Sequence, residues 1–370
     1  MTKAAVRAGG PAAPEPSALS AAQAVTRRGD RRIRGTDRGV AEQGYLAPAP
    51  WGVDAFFAWE VGADGRGQRL IDLERGWTLD HQDLAPHRVE APRFGTIHDE
   101  SRGHGTAVLG IACAVEHGPD PPSPIRPNAG CTGIAPAVRA ITLVATNPAG
   151  DDLAEALAHA LNVAEPGDVV LVEAQVTWPT PRGPIHAPVD AVPALYEMVA
   201  QAVDRGVVVV EAAGNGAIDR SPREPLDLDR CELPGPGGPF RPFDRSARDS
   251  GAIVVSAATA GLPHRRLPWA PFGQRIDAYA WGEDVLAPWS NPGGSTGAYN
   301  HRFGGTSAAA AIVAGAALSL QSAYEARRGG RLGGRALRRA LLHGGTPAAP
   351  GEAPIGVMPN LRAALAALTG

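Results

Sequence analysis

Five apolar segments rich in valine, isoleucine and leucine recur along the chain after its first 44 residues. They read RLID (69–72), VRAITLVA (138–145), DVVLVEAQV (168–176), VVVVEAAGN (207–215) and AIVVSAA (252–258). Nearly continuous apolar runs of this length, closed by turn residues, are typical of strands buried on both faces of a parallel sheet.

Helix-like segments rich in small residues lie between these strands. They read GTAVLGIACAVE (105–116), DLAEALAHALNVA (152–164) and ALYEMVAQAVDRG (194–206). This alternation predicts an α/β fold in which helices cover a parallel sheet. Such sheets bind ligands at the carboxyl ends of their strands, so the residues that end the strands are the candidates for function.

The first 44 residues differ from the rest of the chain. Residues 1–44 are rich in alanine, proline, glycine and arginine and lack a hydrophobic period, which predicts a disordered segment. Residues 45–370 are predicted to form one domain. Within it, residues 216–250 form a long insertion rich in proline, glycine, aspartate and arginine.

Composition and charge narrow the class of protein. Hydrophobic residues make up 44% of the chain, charged residues 20%, and the net charge is −3, so no overall charge favours nucleic acid. No apolar run is long enough for a signal-peptide core or a membrane span. The three cysteines indicate free thiols in a reducing compartment. We therefore expect a cytoplasmic monomer that binds neither nucleic acid nor membrane.

Four polar residues stand where strands end or helices begin. Asp72 ends the first strand, His104 opens a helix, Asn215 follows a strand, and Ser307 opens the alanine-rich run FGGTSAAAAIVAG. A serine needs a neighbouring imidazole to become a nucleophile, and an aspartate can fix the tautomer of that imidazole. An amide side chain can stabilise a developing oxyanion. The four residues together predict acyl transfer.

Their order and surroundings resemble those of the subtilisin-like serine peptidases. The resemblance rests on GHGT around His104, AAGN up to Asn215 and GTS around Ser307, and it covers about residues 48–368. The order Asp, His, Ser and the oxyanion asparagine are described for subtilisin itself. The supporting segments are HQDL (81–84), GIAP (133–136) and FGQRIDAYAWGEDVLA (272–287).

The resemblance implies a fold, an activity and roles. The fold would be a doubly wound, mostly parallel sheet with helices on both faces, and the reaction would be the hydrolysis of peptide bonds in a protein or peptide substrate. Ser307 would be the nucleophile, His104 the general base and Asp72 the residue that orients it. The Asn215 amide and the Ser307 backbone N–H would bind the oxyanion. No cofactor would be required.

The chain departs from the family pattern in ways that indicate a divergent branch. The family's catalytic aspartate is usually followed by Thr or Ser and then Gly, whereas Leu73-Glu74 follow Asp72. The other departures are Ala107 for a second histidine, Ala311 for a proline, and Glu173-Ala174-Gln175 for Ser-Leu-Gly.

Substrate is expected to bind along two strand ends. The residues that the resemblance implies are Glu173, Ala174, Gln175, Ala213 and Gly214. Glu173 and Glu211 would border the pocket for the side chain before the cleaved bond. Two close carboxylates repel unless a cation lies between them. That cation is either an internal arginine, Arg245 or Arg248, or a basic side chain of the substrate, and the internal partner is favoured.

Metal sites are a secondary expectation. Asp83 aligns with a calcium ligand of the family, although the counterpart of the loop that supplies the other ligands, residues 114–132, is altered and rich in proline. The group His98, Asp99, Glu100 and His104 matches no common zinc motif.

Two other functions stay open. A peptide-binding protein on a peptidase scaffold would turn over little substrate. An esterase would use Ser295, within the G-x-S-x-G run at 293–297, but the flanking residues predict a loop rather than the required strand and helix.

Overall fold

A computed structural model describes residues 42–115, 130–180, 182–220, 223–233 and 238–368. The strands of these residues are β1 (Arg69–Glu74), β2 (Ala140–Ala145), β3 (Val169–Val172), β4 (Val176–Trp178), β5 (Ile185–Ala187), β6 (Val208–Ala212), β7 (Ile253–Ala258), β8 (Ala278–Trp281), β9 (Val285–Trp289), β10 (Ala298–Phe303), β11 (Thr346–Pro347) and β12 (Val357–Met358). The α-helices are α1 (Ala55–Glu60), α2 (Arg102–Cys113), α3 (Leu153–Val163), α4 (Pro193–Asp204), α5 (Gly305–Arg328), α6 (Gly334–Leu342) and α7 (Leu361–Ala367).

Eight strands form the central sheet, in the order β11-β12-β8-β7-β6-β3-β1-β2. Every pair is parallel except β11 with β12. The chain runs from β1 outward to β2, then returns to the other side of β1 and continues through β3, β6 and β7. This reversal confirms the doubly wound α/β sheet and opens a crevice at the carboxyl ends of β1 and β3.

One predicted strand is interrupted at this crevice. The sequence predicts a single strand over 168–176, but β3 ends at Val172 and Val176 begins β4, which pairs with β5 as a separate hairpin. Residues 173–175 therefore leave the sheet at its carboxyl edge.

Helix α5 crosses the core of the protein. Small residues allow this close approach: a Cβ atom on Gly315 would lie 2.8 Å from Ile134 Cβ. Residues 308–318 of the helix are all buried. Among the described residues α5 is the one helix long and apolar enough to span a membrane, but 94% of its most apolar stretch is buried inside the protein. It is therefore a core helix.

The ordered domain begins before the predicted boundary. Residues 1–41 lie outside the described part of the chain, but Gln43 and Gly44 are buried. The Gln43 Nε2 donates to Thr132 O over 2.9 Å, and the Thr132 N–H donates back to Gln43 Oε1 over 2.9 Å. The prediction of disorder up to residue 44 is wrong at its last residues, because this buried amide pairs with a segment 89 residues away.

This pairing leads to a stability prediction. Gln43→Ala should lower the free energy of unfolding by about 2–3 kcal/mol, because it leaves the buried Thr132 N–H and carbonyl without partners. Urea unfolding followed by circular dichroism measures the loss. Glu42→Ala, at a neighbouring residue that is only partly buried, is the control. Equal stability of Gln43→Ala and the wild type would contradict the pairing.

Candidate active site

The strand end of β1 supplies two carboxylates to the crevice. Asp72 and Glu74 lie two residues apart, so their side chains leave the same face of the sheet. Both are buried. Asp72 Oδ2 accepts a hydrogen bond of 2.8 Å from the Trp77 indole N–H, and Glu74 Oε1 accepts one of 2.7 Å from the Arg75 backbone N–H.

His104 pairs with Glu74. The imidazole Nδ1 lies in hydrogen-bond contact with Glu74 Oε2. The histidine side chain is 38% exposed and the glutamate side chain 3%, so the pair joins a buried anion to a ring that reaches the crevice. With Nδ1–H donating to Glu74, the Nε2 atom is left unprotonated and available as a base.

The prediction that Asp72 orients His104 therefore needs correction. The described contacts of Asp72 include the bond from Trp77 but no hydrogen bond to the imidazole, and its Oδ1 atom has no hydrogen-bond partner among the described residues. The physical reason is position. Glu74 is the last residue of β1, and the first turn of α2, which carries His104, packs against that end of the strand.

Two glycines, Gly76 and Gly105, allow α2 to pack closely against the end of β1. A Cβ atom on Gly105 would lie 2.3 Å from the Gly76 carbonyl oxygen and 2.8 Å from Glu74 Cγ. A Cβ atom on Gly76 would lie 2.3 Å from the His98 carbonyl oxygen. The first turn of α2 can thus pack directly on the end of β1, which places the His104 ring against Glu74.

A sequence signal could have found Glu74. The family pattern has a glycine two residues after the catalytic acid, and this spacing fails for Asp72 but holds for Glu74, which is followed by Arg75 and Gly76. The family pattern expects aspartate at this position, so a search for aspartate passes over Glu74.

Ser307 lies in the first turn of α5, as the sequence predicts. Gly305 begins this helix with φ at +86°, a conformation that favours glycine. The first N–H groups of a helix have no carbonyl partner within it, so the start of α5 presents donors toward the crevice. Ser307 and His104 line the same cleft, whose volume is about 220 Å³.

Asn215 is held in one orientation beside the serine. Its Oδ1 atom accepts hydrogen bonds of 3.1 Å from both the backbone N–H and the hydroxyl of Thr306. Its own backbone N–H donates to Gln175 Oε1 over 3.0 Å. With the amide oxygen held by two donors, the Nδ2–H₂ group is the part of the side chain left to bind an incoming anion.

The cleft wall contains part of the predicted substrate-binding set. Glu173, Ala174 and Gln175 line the cleft, as does Ala212. Ala213 is buried and Gly214 packs against the His186 carbonyl, so these two residues carry Asn215 rather than line the cleft wall. Which of the five residues contact substrate stays a prediction.

Burial changes the protonation of the acids around the cleft. Burial and the neighbouring Glu74 carboxylate raise the pKa of Asp72 to about 8. The same two causes raise the pKa of Glu173 well above its usual value, although the Ser307 hydroxyl opposes them. Burial lowers the His104 pKa, but the charge and hydrogen bond of Glu74 outweigh it, so the net pKa is raised.

Glu211 does not share the cleft with Glu173. It lies in a buried network in which its Oε1 atom accepts from the Asp190 N–H over 2.9 Å. The cation of this network is Arg275, whose guanidinium lies 2.7 Å from both Asp190 and Asp277.

The internal cation predicted from the insertion is therefore wrong. Arg245 pairs with Asp277 over 2.8 Å, and Arg248 lies 4.1 Å above the Tyr196 ring. Arg275 reaches the network from the segment before β8.

Metal ligation remains untested at Asp83. Its Oδ2 atom accepts a hydrogen bond of 3.0 Å from the Cys131 N–H, and residues 116–129, which belong to the predicted ligand loop, lie outside the described part of the chain. Within the described residues, the group of acids and histidines close enough to share an ion is Glu74, His104 and Glu173, with ligand atoms within 4.8 Å of one another.

Ser295 is in a loop, as its flanking residues predict. Residues 291–297 precede β10 without an intervening helix. The strand–turn–helix arrangement that a G-x-S-x-G nucleophile requires is thus missing around this serine.

Comparisons with known proteins show the family of the chain. The model of the family described as "Subtilase family" matches residues 80–353. The chain is 25% identical over 295 residues to an intracellular serine protease of Paenibacillus polymyxa, covering 78% of this chain and 73% of that protein. It is 26% identical over 278 residues to the major intracellular serine protease of Bacillus subtilis, covering 72% of each. It is 23% identical over 285 residues to subtilisin E of Bacillus subtilis, covering 76% of this chain and 63% of that protein.

The family match begins six residues after Glu74, so it does not include either acid of β1. It does include the histidine, the asparagine and the serine of the cleft. Because this match spans more than half of the chain and agrees with the sheet topology, the chain belongs to the subtilase family and is a subtilisin-like serine endopeptidase.

Proposed function

We propose that this subtilase hydrolyses peptide bonds with a triad of Glu74, His104 and Ser307. The hydrogen bond between Glu74 and His104 Nδ1 is the observation that carries this assignment. It supports a tautomer with a basic Nε2 atom, in a ring that lines the same cleft as the serine.

Each residue then has one role in the reaction. His104 Nε2 takes the Ser307 proton as the hydroxyl oxygen attacks the scissile carbonyl, and Glu74 stabilises the resulting imidazolium. The Asn215 Nδ2–H₂ group and the Ser307 backbone N–H donate to the oxyanion of the tetrahedral intermediate. The imidazolium next protonates the leaving amine, and a water activated by the same imidazole releases the acyl group.

The site of action is proposed to be the cytoplasm. Two of the relatives are named as intracellular proteases. The described cysteines, Cys113, Cys131 and Cys231, are all free and buried, which suits a reducing compartment. We propose that the substrates are proteins or peptides, as the family implies.

Labelling with a fluorophosphonate tests whether the serine is activated. The probe should form a covalent adduct on Ser307, which mass spectrometry of tryptic peptides locates. Hydrolysis of casein or of a chromogenic peptide should accompany the labelling. A protein that binds peptides but neither labels nor cleaves them would instead be a binding module on a peptidase scaffold.

Asn215→Ala should lower kcat by about 10²–10³, the loss known for this donor in subtilisin. The backbone of the residue still donates to Gln175, so the fold should survive. Steady-state kinetics on a peptide substrate measures the effect, with thermal unfolding as the check on structure. A kcat equal to that of the wild type would remove Asn215 from the oxyanion hole.

A further inference from the structure

Glu173 stands beside the proposed nucleophile in an unusual electrostatic setting. It follows β3, and its backbone N–H donates to the Leu73 carbonyl over 3.1 Å, so it sits against the end of β1. Both of its carboxyl oxygens are buried and neither makes a hydrogen bond of full geometry among the described residues, although the Ser307 hydroxyl is near enough to oppose the rise of its pKa. A buried carboxylate without a partner is costly, so this side chain needs an explanation.

The surroundings of Glu173 are acidic. Its carboxyl group lies within 4.8 Å of ligand atoms of Glu74 and His104. The groups that face it come from β1, α2, the loop after β6 and α5, and are Asp72, Glu74, His104, Asn215 and Ser307. Arg75 and Glu100 lie farther out on the cleft wall. The charge that raises the Glu173 pKa most is the Glu74 carboxylate, which is already bound to His104.

The ionised form of Glu173 would harm the proposed reaction in two ways. A second carboxylate near His104 would compete with Ser307 for the imidazole. It would also add negative charge close to the position where the oxyanion develops, and like charges in a site of low dielectric repel strongly. A neutral carboxylic acid removes both problems and gains an O–H donor.

We propose that Glu173 is a positioning residue that acts as a neutral carboxylic acid, donating its O–H to the Ser307 hydroxyl. This proposal rests on the proposed function of Ser307. The hydrogen bond would hold the Ser307 oxygen toward the substrate carbonyl while its own proton faces His104. The Glu173 proton stays in place throughout turnover, so no bond is made or broken at this residue.

The proposal predicts how kcat/KM depends on pH. His104 must be neutral to act as a base, so kcat/KM rises with pH through the raised pKa of this residue. Glu173 must be protonated, and its raised pKa keeps it so over a wider range than an ordinary glutamate. Above that pKa the acid ionises, and kcat/KM falls again. The proposal assigns the alkaline limb to Glu173. Asp72, whose pKa is raised to about 8, ionises on the same side of the profile, so the profile of Asp72→Asn is measured beside that of Glu173→Gln to separate the two acids.

Titration of His104 tests the protonation state without any turnover. In the full-length protein labelled with ¹⁵N-histidine, the His104 resonance is assigned with His104→Gln and followed against pH in the wild type and in Glu173→Gln. A neutral Glu173 predicts nearly equal His104 pKa values in the two proteins. A fall of at least about one pH unit in Glu173→Gln would show that an ionised carboxylate had been removed, and it would overturn the proposal. Because no activity is needed, this outcome is separate from a failure of the proposed function.

The pH profile of kcat/KM tests the positioning role. Glu173→Gln keeps a neutral donor of similar size, so it should lose about 3- to 10-fold at the optimum and lack the alkaline limb. Glu173→Ala removes the donor and should lose about 10². Glu100→Gln removes an exposed carboxylate from the same cleft wall and should retain the alkaline limb.

Two results would contradict the proposal. One is an alkaline limb that persists in Glu173→Gln, and the other is a loss in Glu173→Gln as large as that in Glu173→Ala. If Glu173→Gln does not fold, Glu173→Ser, which carries the usual family residue, provides the same comparison of alkaline limbs.

Discussion

Glu74→Gln is expected to lower kcat/KM by about 10⁴, the loss that follows when a triad acid is replaced by its amide. The amide would present an N–H₂ group to His104 Nδ1 and so favour the tautomer with its proton on Nε2. That tautomer cannot take the Ser307 proton. Steady-state kinetics at several pH values measures the loss, and circular dichroism verifies the fold.

Asp72→Asn is the matched control for this prediction. Asp72 is the other acid of β1, but its pKa of about 8 keeps it mostly protonated at neutral pH, and it accepts from Trp77 rather than from His104. An amide can accept the same hydrogen bond, so kcat/KM should fall by about tenfold or less. A large loss in Asp72→Asn together with a small one in Glu74→Gln would restore Asp72 as the triad acid.

Ser307→Ala is expected to lower kcat by about 10⁶, the effect of removing the nucleophile in subtilisin. The fold should remain, because Ser307 is only partly buried and alanine already occupies the four positions that follow it in α5. Fluorophosphonate labelling should disappear with the activity, while the midpoint of thermal unfolding should change little.

Ser295→Ala distinguishes the proposed peptidase from an esterase that uses Ser295. This serine lies in a loop outside the cleft, so its loss should leave both hydrolysis and labelling in place. An enzyme that loses ester hydrolysis in Ser295→Ala but retains it in Ser307→Ala would be the esterase that the G-x-S-x-G run suggested.

The architecture was accessible from the sequence because it depends on local patterns. The valine-rich runs predict the strands of the parallel sheet within a few residues, and the alanine run after Ser307 predicts a helix that can be buried. Patterns of this kind show which segments are buried on both faces, and that suffices to predict a parallel sheet covered by helices. The doubly wound order of its strands came from the resemblance to the subtilisin-like peptidases.

The identity of the triad acid was less accessible, because two acids stand on one strand face. Asp72 and Glu74 share periodicity and burial, and the packing of α2 on the end of β1, which depends on contacts distant in sequence, brings His104 to Glu74. A family pattern fixed on aspartate selects Asp72, whereas the acid in hydrogen-bond contact with His104 is Glu74.

Long-range pairings were not predictable at all. Arg275 lies 64 residues beyond Glu211 and 85 beyond Asp190, and nothing near either acid indicates that this arginine will reach them. Buried charges pair with whichever segment the folded chain brings alongside, so their partners follow from the tertiary structure and not from local sequence.

The position of Ser307 on α5 has a consequence for the durability of the enzyme. Surface loops open and close on their own, whereas a helix enclosed on all sides moves only when its surroundings come apart. Ser307 stands at the start of a helix whose next eleven residues, 308–318, are all buried, so local opening of exposed loops leaves this helix in place. Displacement of Ser307 by movement of α5 therefore requires the loss of the core contacts around residues 308–318, which ties the alignment of the nucleophile to the stability of the core.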